Sequence, residues 1–250
     1  MPKNKRRKII IAGPLRFETI TPVVVRSDGP LARQAKKRLT SQAQARVNQR
    51  NCCLKLEMLL ACNFRRGDLF VTLTYDDAHL PTCRKAAMYE AKRFVDRLRA
   101  IRKKTGRQLV TVWVTEHKHG EGRWHHHLVL NATTGQDYED ILKAWGDRGS
   151  VKEFIKLEFT KEKTYAALAR YLTKEARDKV GDKAWSCTRN VQRPTVESYR
   201  VDDEETLQVP RGAWLLEQED HRTVYGVYQY VKYLLPGDLP PAVRRKRRRR

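Results

Sequence analysis

The sequence predicts an α+β fold in which an antiparallel sheet carries helices packed on it. Three observations predict it. Segments 69–75, 109–116 and 124–131 are apolar, β-branched runs bounded by turn residues, the pattern of buried strands. Segments 85–104, 136–145 and 161–179 instead repeat their apolar residues at helical spacing. The connection His117–Arg123 is short and contains Gly120 and Gly122, so the second and third strands form a hairpin and run antiparallel.

Composition bounds the partners. The 250 residues hold 52 Lys+Arg against 29 Asp+Glu, a net charge of +23. That length suits one domain with additions or two small ones. Such a charge favours a polyanion, either nucleic acid or an anionic membrane surface. No apolar stretch is long enough to span a bilayer, and the basic start lacks an apolar signal core. A cytoplasmic protein is expected. Cys52, Cys53, Cys62, Cys83 and Cys187 form no CxxC pair, which suggests reduced thiols and no structural zinc.

In chain order, residues 1–30 read as a basic arm with five cations among its first eight residues, in which Ile9–Ile11 has strand character. Residues 31–63 lack Pro and Gly and are rich in helix formers, so a long added N-terminal helix is expected, basic first and apolar later. After the first strand come Asp76 and Asp77, acids that suit a turn cap better than a metal. In helix 85–104, Ala91, Phe94, Val95, Leu98 and Ile101 make one stripe, and Gly106 ends it. Residues 150–159 alternate as a half-exposed strand. Thr160 suits the N-cap of helix 161–179. The loop 185–194, with Arg189 and Arg193, suits phosphate contacts. Residues 195–201 and 224–230 have strand character within a C-terminal extension, 196–235. Pro236, Pro240 and Pro241 lead a tail, 236–250, that ends in seven consecutive cations. The main domain is thus expected over 31–195.

The chemistry concentrates at Trp124-His125-His126-His127. Side chains alternate along a strand, so His125 and His127 share a face and His126 takes the other. Two imidazoles two residues apart can reach one metal ion, and imidazole suits Mn, Fe, Zn, Ni and Cu better than Mg. A polar patch or a DNA-backbone contact is the competing reading of such a pair. Glu116 lies near the same end of the hairpin and could complete a Glu/His/His face. His117 and His119 compete for that role from the loop.

On helix 161–179, Lys174 follows Tyr171 by three residues, which makes them neighbours on the surface. A tyrosine is a poor nucleophile at its ordinary pKa of about 10. A nearby ammonium favours the phenolate or holds a phosphate; the competing reading is a packed tyrosine. Tyr165 is about 240° round the helix and faces elsewhere.

The elements from 68 to 179 read β, α, β, β, α, β, α. With these residues the chain resembles the HUH endonucleases, and among them the rolling-circle replication initiators of small phages and plasmids. Three pieces carry the resemblance: Phe70-Val71-Thr72-Leu73-Thr74-Tyr75, Gly122-Arg123-Trp124-His125-His126-His127 and Tyr171-Leu172-Thr173-Lys174, in the family's order. The match departs where a bulky apolar residue usually separates the histidines and His126 stands instead. Ala167 occupies the place of a second tyrosine, so the chain is similar to single-tyrosine members.

The resemblance implies a ferredoxin-like, RRM-like antiparallel sheet. It implies that His125, His127 and Glu116 bind Mn or Mg, that Tyr171 attacks DNA to leave a 5′-phosphotyrosine and a 3′-hydroxyl, and that Lys174 assists. Arg123, Arg189 and Arg193 would hold single-stranded or locally melted DNA at a replication origin. No GxxxxGK[ST] phosphate loop is present, so a host helicase and polymerase, in a bacterial cytoplasm, are the implied partners. A non-catalytic, repressor-like DNA binder and a related transposase or mobilisation relaxase are the alternatives.

Overall fold

The computed structural model describes residues 4–23, 42–117, 123–158, 164–174, 183–224 and 226–235. Its strands are β1 (Lys5–Ala12), β2 (Leu15–Pro22), β3 (Leu69–Tyr75), β4 (Thr111–His117), β5 (Trp124–Leu130), β6 (Gly149–Lys156), β7 (Ser186–Cys187), β8 (Thr195–Val201), β9 (Trp214–Thr223) and β10 (Gly226–Leu234). Its helices are α1 (Gln42–Asn63), α2 (Arg84–Lys104), α3 (Asp137–Trp145) and α4 (Ala166–Thr173). The fold is α+β, with two antiparallel five-stranded sheets. Contacts divide the chain into two units: Cys52–Gln192, and the described residues of Met1–Asn51 with those of Arg193–Arg250.

The larger unit has the strand order β6-β3-β5-β4-β7. Its first four strands stand as fourth, first, third and second of a βαββαβ unit, the ferredoxin-like arrangement. Alternation along these strands sorts two cores. Leu69, Val71 and Leu73 of β3 and Leu128 and Leu130 of β5 pack with Phe94 and Leu98 of α2 and Trp145 of α3. Phe70, Val112, Val114 and Val129 point the other way, to Leu56, Leu59 and Leu60 of α1 and Ala169 and Leu172 of α4. Fully burying each such side chain contributes about 1.5–3 kcal/mol. Arg102, at the end of α2, is fully buried and pairs with Asp137 at the start of α3 at 2.9 Å. Gly149 is required where β6 meets β3. Its φ is +150°, and a Cβ there would lie 2.2 Å from the Thr74 carbonyl oxygen.

The other unit corrects the reading of residues 1–30 as an arm. β1 and β2 form a hairpin around Gly13 and Pro14, with Gly13 at φ 55°. They sit inside a sheet of order β8-β1-β2-β10-β9. The cations that read as a solvated tail alternate across a strand. Arg7 points inward and pairs with Glu18 at 2.6 Å and Glu205 at 2.7 Å. The strand expected over 195–201 is β8, and the one expected over 224–230 is β10, which runs on to Leu234. The intervening β9 was hidden by its composition: Glu217, Glu219, Asp220, His221 and Arg222 suppress any apolar alternation on this mostly exposed edge strand.

Of the helix expected over 161–179, the described part is α4; the Thr160 cap, His119 and the cationic tail lie outside the described residues. Among the described residues, no helix is long and apolar enough to cross a membrane.

Candidate active site

The site is built on adjacent strands β4 and β5. Register places Glu116 directly across from His125 and Val114 across from His127, so the acid and both histidines share one face. Glu116 Oε2 lies 3.0 Å from His127 Nε2 and 3.4 Å from His125 Nε2. One ligand atom from each residue falls within 4.8 Å of the other two. Two imidazoles and one carboxylate make a donor set that suits a divalent transition ion better than Mg. Burial raises the Glu116 carboxyl, but hydrogen bonds and charge from His125 and His127 outweigh it and hold the group well below the usual carboxylate range. The acid is therefore ionised and ready to ligate.

His127 is 3 % exposed and held from behind. Its Nδ1 lies 2.8 Å from the Thr72 hydroxyl, which also hydrogen-bonds the Glu153 carboxylate. A carboxylate only accepts, so Thr72 donates its one hydrogen to Glu153 and accepts Nδ1–H from His127. That leaves Nε2 as the nitrogen facing Glu116 and open to a metal, the arrangement second-sphere groups set in metal sites. Glu153 reaches Thr72 because β6 carries a bulge: Thr72 pairs with Glu153 but Leu73 pairs with Val151, leaving Lys152 as the extra residue. Phe70 stacks on the His127 ring at 5.6 Å. These supports were not singled out from sequence. Their signal was the two-residue spacing of Phe70, Thr72 and Thr74, which puts all three on the face of His125 and His127.

His126 confirms the alternation. It is fully buried on the α2–α3 side, with its Nε2 2.7 Å from the Tyr75 hydroxyl and its Nδ1 3.1 Å from the Thr115 hydroxyl. Burial, reinforced by the charges of His125 and His127, pushes its imidazole down to about 3, so it is a neutral core residue. His117 packs on Trp124 at 4.5 Å, away from the Glu116 face. Asp76 accepts a hydrogen bond from the His79 backbone N–H at 2.9 Å, capping the turn as expected.

α4 carries Tyr171 to the same face. Tyr165, Ala169, Leu172 and Thr173 turn inward, and Tyr171 is left 51 % exposed. Its hydroxyl lies 3.5 Å from His127 Nε2, and the two rings meet edge to face at 5.2 Å. Tyr165 is 6 % exposed, and burial, with Asp68 nearby, raises its phenol well above the ordinary value. Lys174 ends the helix, exposed, with its backbone N–H on the Tyr171 carbonyl oxygen at 3.3 Å.

An open cleft of about 470 Å³ runs past His125, with Thr74, Arg123, Ser150 and Lys152 in its wall. Arg123 also pairs with Asp77 at 2.5 Å. Arg189 is exposed but not at this site. Its neighbour Thr188 bonds Thr111 at 3.0 Å, at the opposite end of β4 from Glu116, roughly 17 Å along the strand at ~3.4 Å per residue. Arg193 is exposed and falls in the other unit.

The model of one protein family, described as Replication-associated protein ORF2/G2P, matches residues 68–179. No curated protein and no solved structure matches the chain. The matched stretch begins at the turn before β3 and extends past α4. It contains Glu116, His125, His127, Tyr171 and Lys174 together. The match supports a replication initiator, and the grouped histidines and acid lie inside it.

Proposed function

We propose that this protein nicks and rejoins single-stranded DNA through Tyr171, starting rolling-circle replication of a phage, plasmid or other mobile element. One observation carries the reading: a half-exposed tyrosine hydroxyl stands 3.5 Å from a histidine of a Glu/His/His group. A tyrosine with only a packing role would be buried, as Tyr165 at the N-cap of α4 is.

Glu116, His125 and His127 would hold the cation, Mn or Mg, through Oε2 and the two Nε2 atoms. When bound, that ion supplies positive charge to polarise the scissile phosphate. Tyr171 supplies the nucleophile. Its phenolic oxygen attacks phosphorus, the bond from phosphorus to the 3′ oxygen breaks, and the DNA stays on Tyr171 through a 5′-phosphate. The phenolic proton is lost as the bond forms, and the departing 3′ oxygen takes up a proton to become a hydroxyl. That hydroxyl can prime a polymerase, or attack the Tyr171 linkage and restore the strand. Lys174 offsets negative charge near Tyr171, and Arg123 and Lys152 hold the backbone in the cleft beside His125. Attack needs an exposed backbone, so the substrate is single-stranded or locally melted DNA at an origin. Unwinding and synthesis fall to a host helicase and polymerase in a bacterial cytoplasm.

The test is a denaturation-resistant adduct with random-sequence single-stranded oligonucleotides in Mn. Wild type should give one, and Tyr171→Phe should give none while its unfolding midpoint is unchanged. An adduct that survives in Tyr171→Phe would overturn the nucleophile assignment. No adduct in wild type under any divalent metal would favour a non-catalytic DNA binder.

A further inference from the structure

The sheet of the smaller unit treats its cations in two ways. Arg7 points to one face of β1, where Glu18 and Glu205 meet it. Arg6 and Lys8 point to the opposite face, and both are exposed. Register fixes their neighbours there. Arg6 stands directly opposite Arg200 of β8 on one side and Thr21 of β2 on the other. Lys8 stands opposite Ser198 and Thr19. The β8, β1 and β2 residues of this face are cations and hydroxyls at the Arg6 end and the apolar Ile10, Val196 and Phe17 beyond, with no carboxylate on the three strands themselves. Asp203, just past β8, accepts from the Asn4 side chain. The acids of this face, Glu217 and Glu219, stand on β9, at the other edge of the sheet.

Like charges directly opposite on neighbouring strands are destabilising. Arg6 faces Arg200, with Lys8 two residues along β1, so an anion lying across the strands would be met by several cations at once. The same face also carries rings. Tyr230 stands opposite Thr19, and Tyr228, two residues earlier on β10, points the same way and pairs with His221 of β9. Tyr228 is two strands from Arg6, about 10 Å at the ~4.8 Å spacing of strands. A column of cations beside an aromatic row matches a polymer that offers phosphates along one side and unstacked bases along the other. A duplex offers phosphates but hides its bases.

We propose that this face of the β8-β1-β2-β10-β9 sheet is a second single-stranded DNA-binding surface, distinct from the Tyr171 site. Arg6, Lys8 and Arg200 take phosphates, and Tyr228 stacks on a base. That the strand is DNA rests on the function proposed above.

The experiment measures anisotropy of a labelled, mixed-sequence single-stranded 20-mer DNA with the full chain over a salt series. Arg6→Gln/Lys8→Gln should weaken binding by at least 10-fold at low salt. It should also flatten the plot of log affinity against log salt by roughly 1.4, at about 0.7 per phosphate contact for single strands. Tyr228→Leu should weaken binding about 10-fold with the salt slope unchanged. Lys103→Gln/Lys104→Gln, an equal charge loss at the end of α2, should change neither by as much as half. Matching losses in that control pair would show a general charge effect and overturn the proposal. Equal losses on duplex DNA, or larger losses on RNA, would overturn the assignment of the ligand. Adduct formation at saturating oligonucleotide should persist in all these variants, so a failure here is distinguishable from a failure of the Tyr171 reading, which shows in wild type alone.

Discussion

On β5, His126 is closed in by Tyr75, Thr115 and Trp145, whereas His125 and His127 meet Glu116 on the opposite face. At α4, the N-cap residue Tyr165 is closed in while Tyr171, on the helix, stands at the same Glu/His/His group. Each comparison sets the same side chain on, or at the cap of, one element. The difference is the face, set by a period of two on the strand and 3.6 on the helix. Residue type therefore does not assign the chemistry here; position relative to the element's period does. A neutral histidine bonded to two hydroxyls is part of the core, and an imidazole aimed at an ionised acid is placed where a metal could be held.

The largest way to break this comparison is to remove a ligand from the active face. His127→Ala should lower Mn affinity and adduct yield by more than 100-fold, with stability affected much less than function. Calorimetric titration with Mn checks it, and undiminished binding would remove His127 from the ligand set. On the core face the loss should be of the opposite kind. His126→Ala leaves a cavity and strands the Tyr75 and Thr115 hydroxyls, so urea unfolding should show a loss of about 3 kcal/mol. Its folded fraction should bind Mn within a few-fold of wild type. If His126→Ala abolished metal binding at unchanged stability, the two faces would have to be exchanged.

Smaller changes sharpen the contrast. Thr72→Val keeps the shape of the strand but strips the hydroxyl from between Glu153 and His127. Mn affinity should fall 10–100-fold, and Thr72→Ser should restore most of it. A Val variant with wild-type affinity would show that the histidine needs no support. The smallest effect concerns Tyr165. Its phenol is raised in the folded state, so the unfolded chain ionises first, at about pH 10. Folding stability tied to Tyr165 is thus complete below pH 10 and lost as pH rises beyond it. Tyr165→Phe should keep adduct formation and lose less stability between pH 9 and 11 than wild type, as followed by urea midpoints. An adduct lost in Tyr165→Phe would transfer the active role to the wrong side of α4.

The grouping of Glu116, His125 and His127 on one face was legible in the sequence because β3, β4 and β5 are strongly apolar, and their alternation sorts the histidines without coordinates. The order of elements from β3 to α4 was legible for the same reason. Glu153 was not, since a bulge on β6 decides which residue of that strand faces Thr72. The smaller sheet was the least legible. Its β1 spends charged residues on both faces, with Arg7 neutralised by Glu18 and Glu205, the latter about two hundred residues away in the chain. Local composition cannot reveal such pairing, and a cationic strand then looks like a tail.

The central claim is that Tyr171 attacks phosphorus beside the Glu116–His125–His127 group. It is tested most directly by peptide mass spectrometry of the protease-digested DNA adduct formed in Mn. The account predicts one modified peptide, with Tyr171 joined to a 5′-phosphate and the released strand ending in an extendable 3′-hydroxyl. A nucleotide on Tyr165 or Tyr75, or a linkage through a 3′-phosphate, would contradict it.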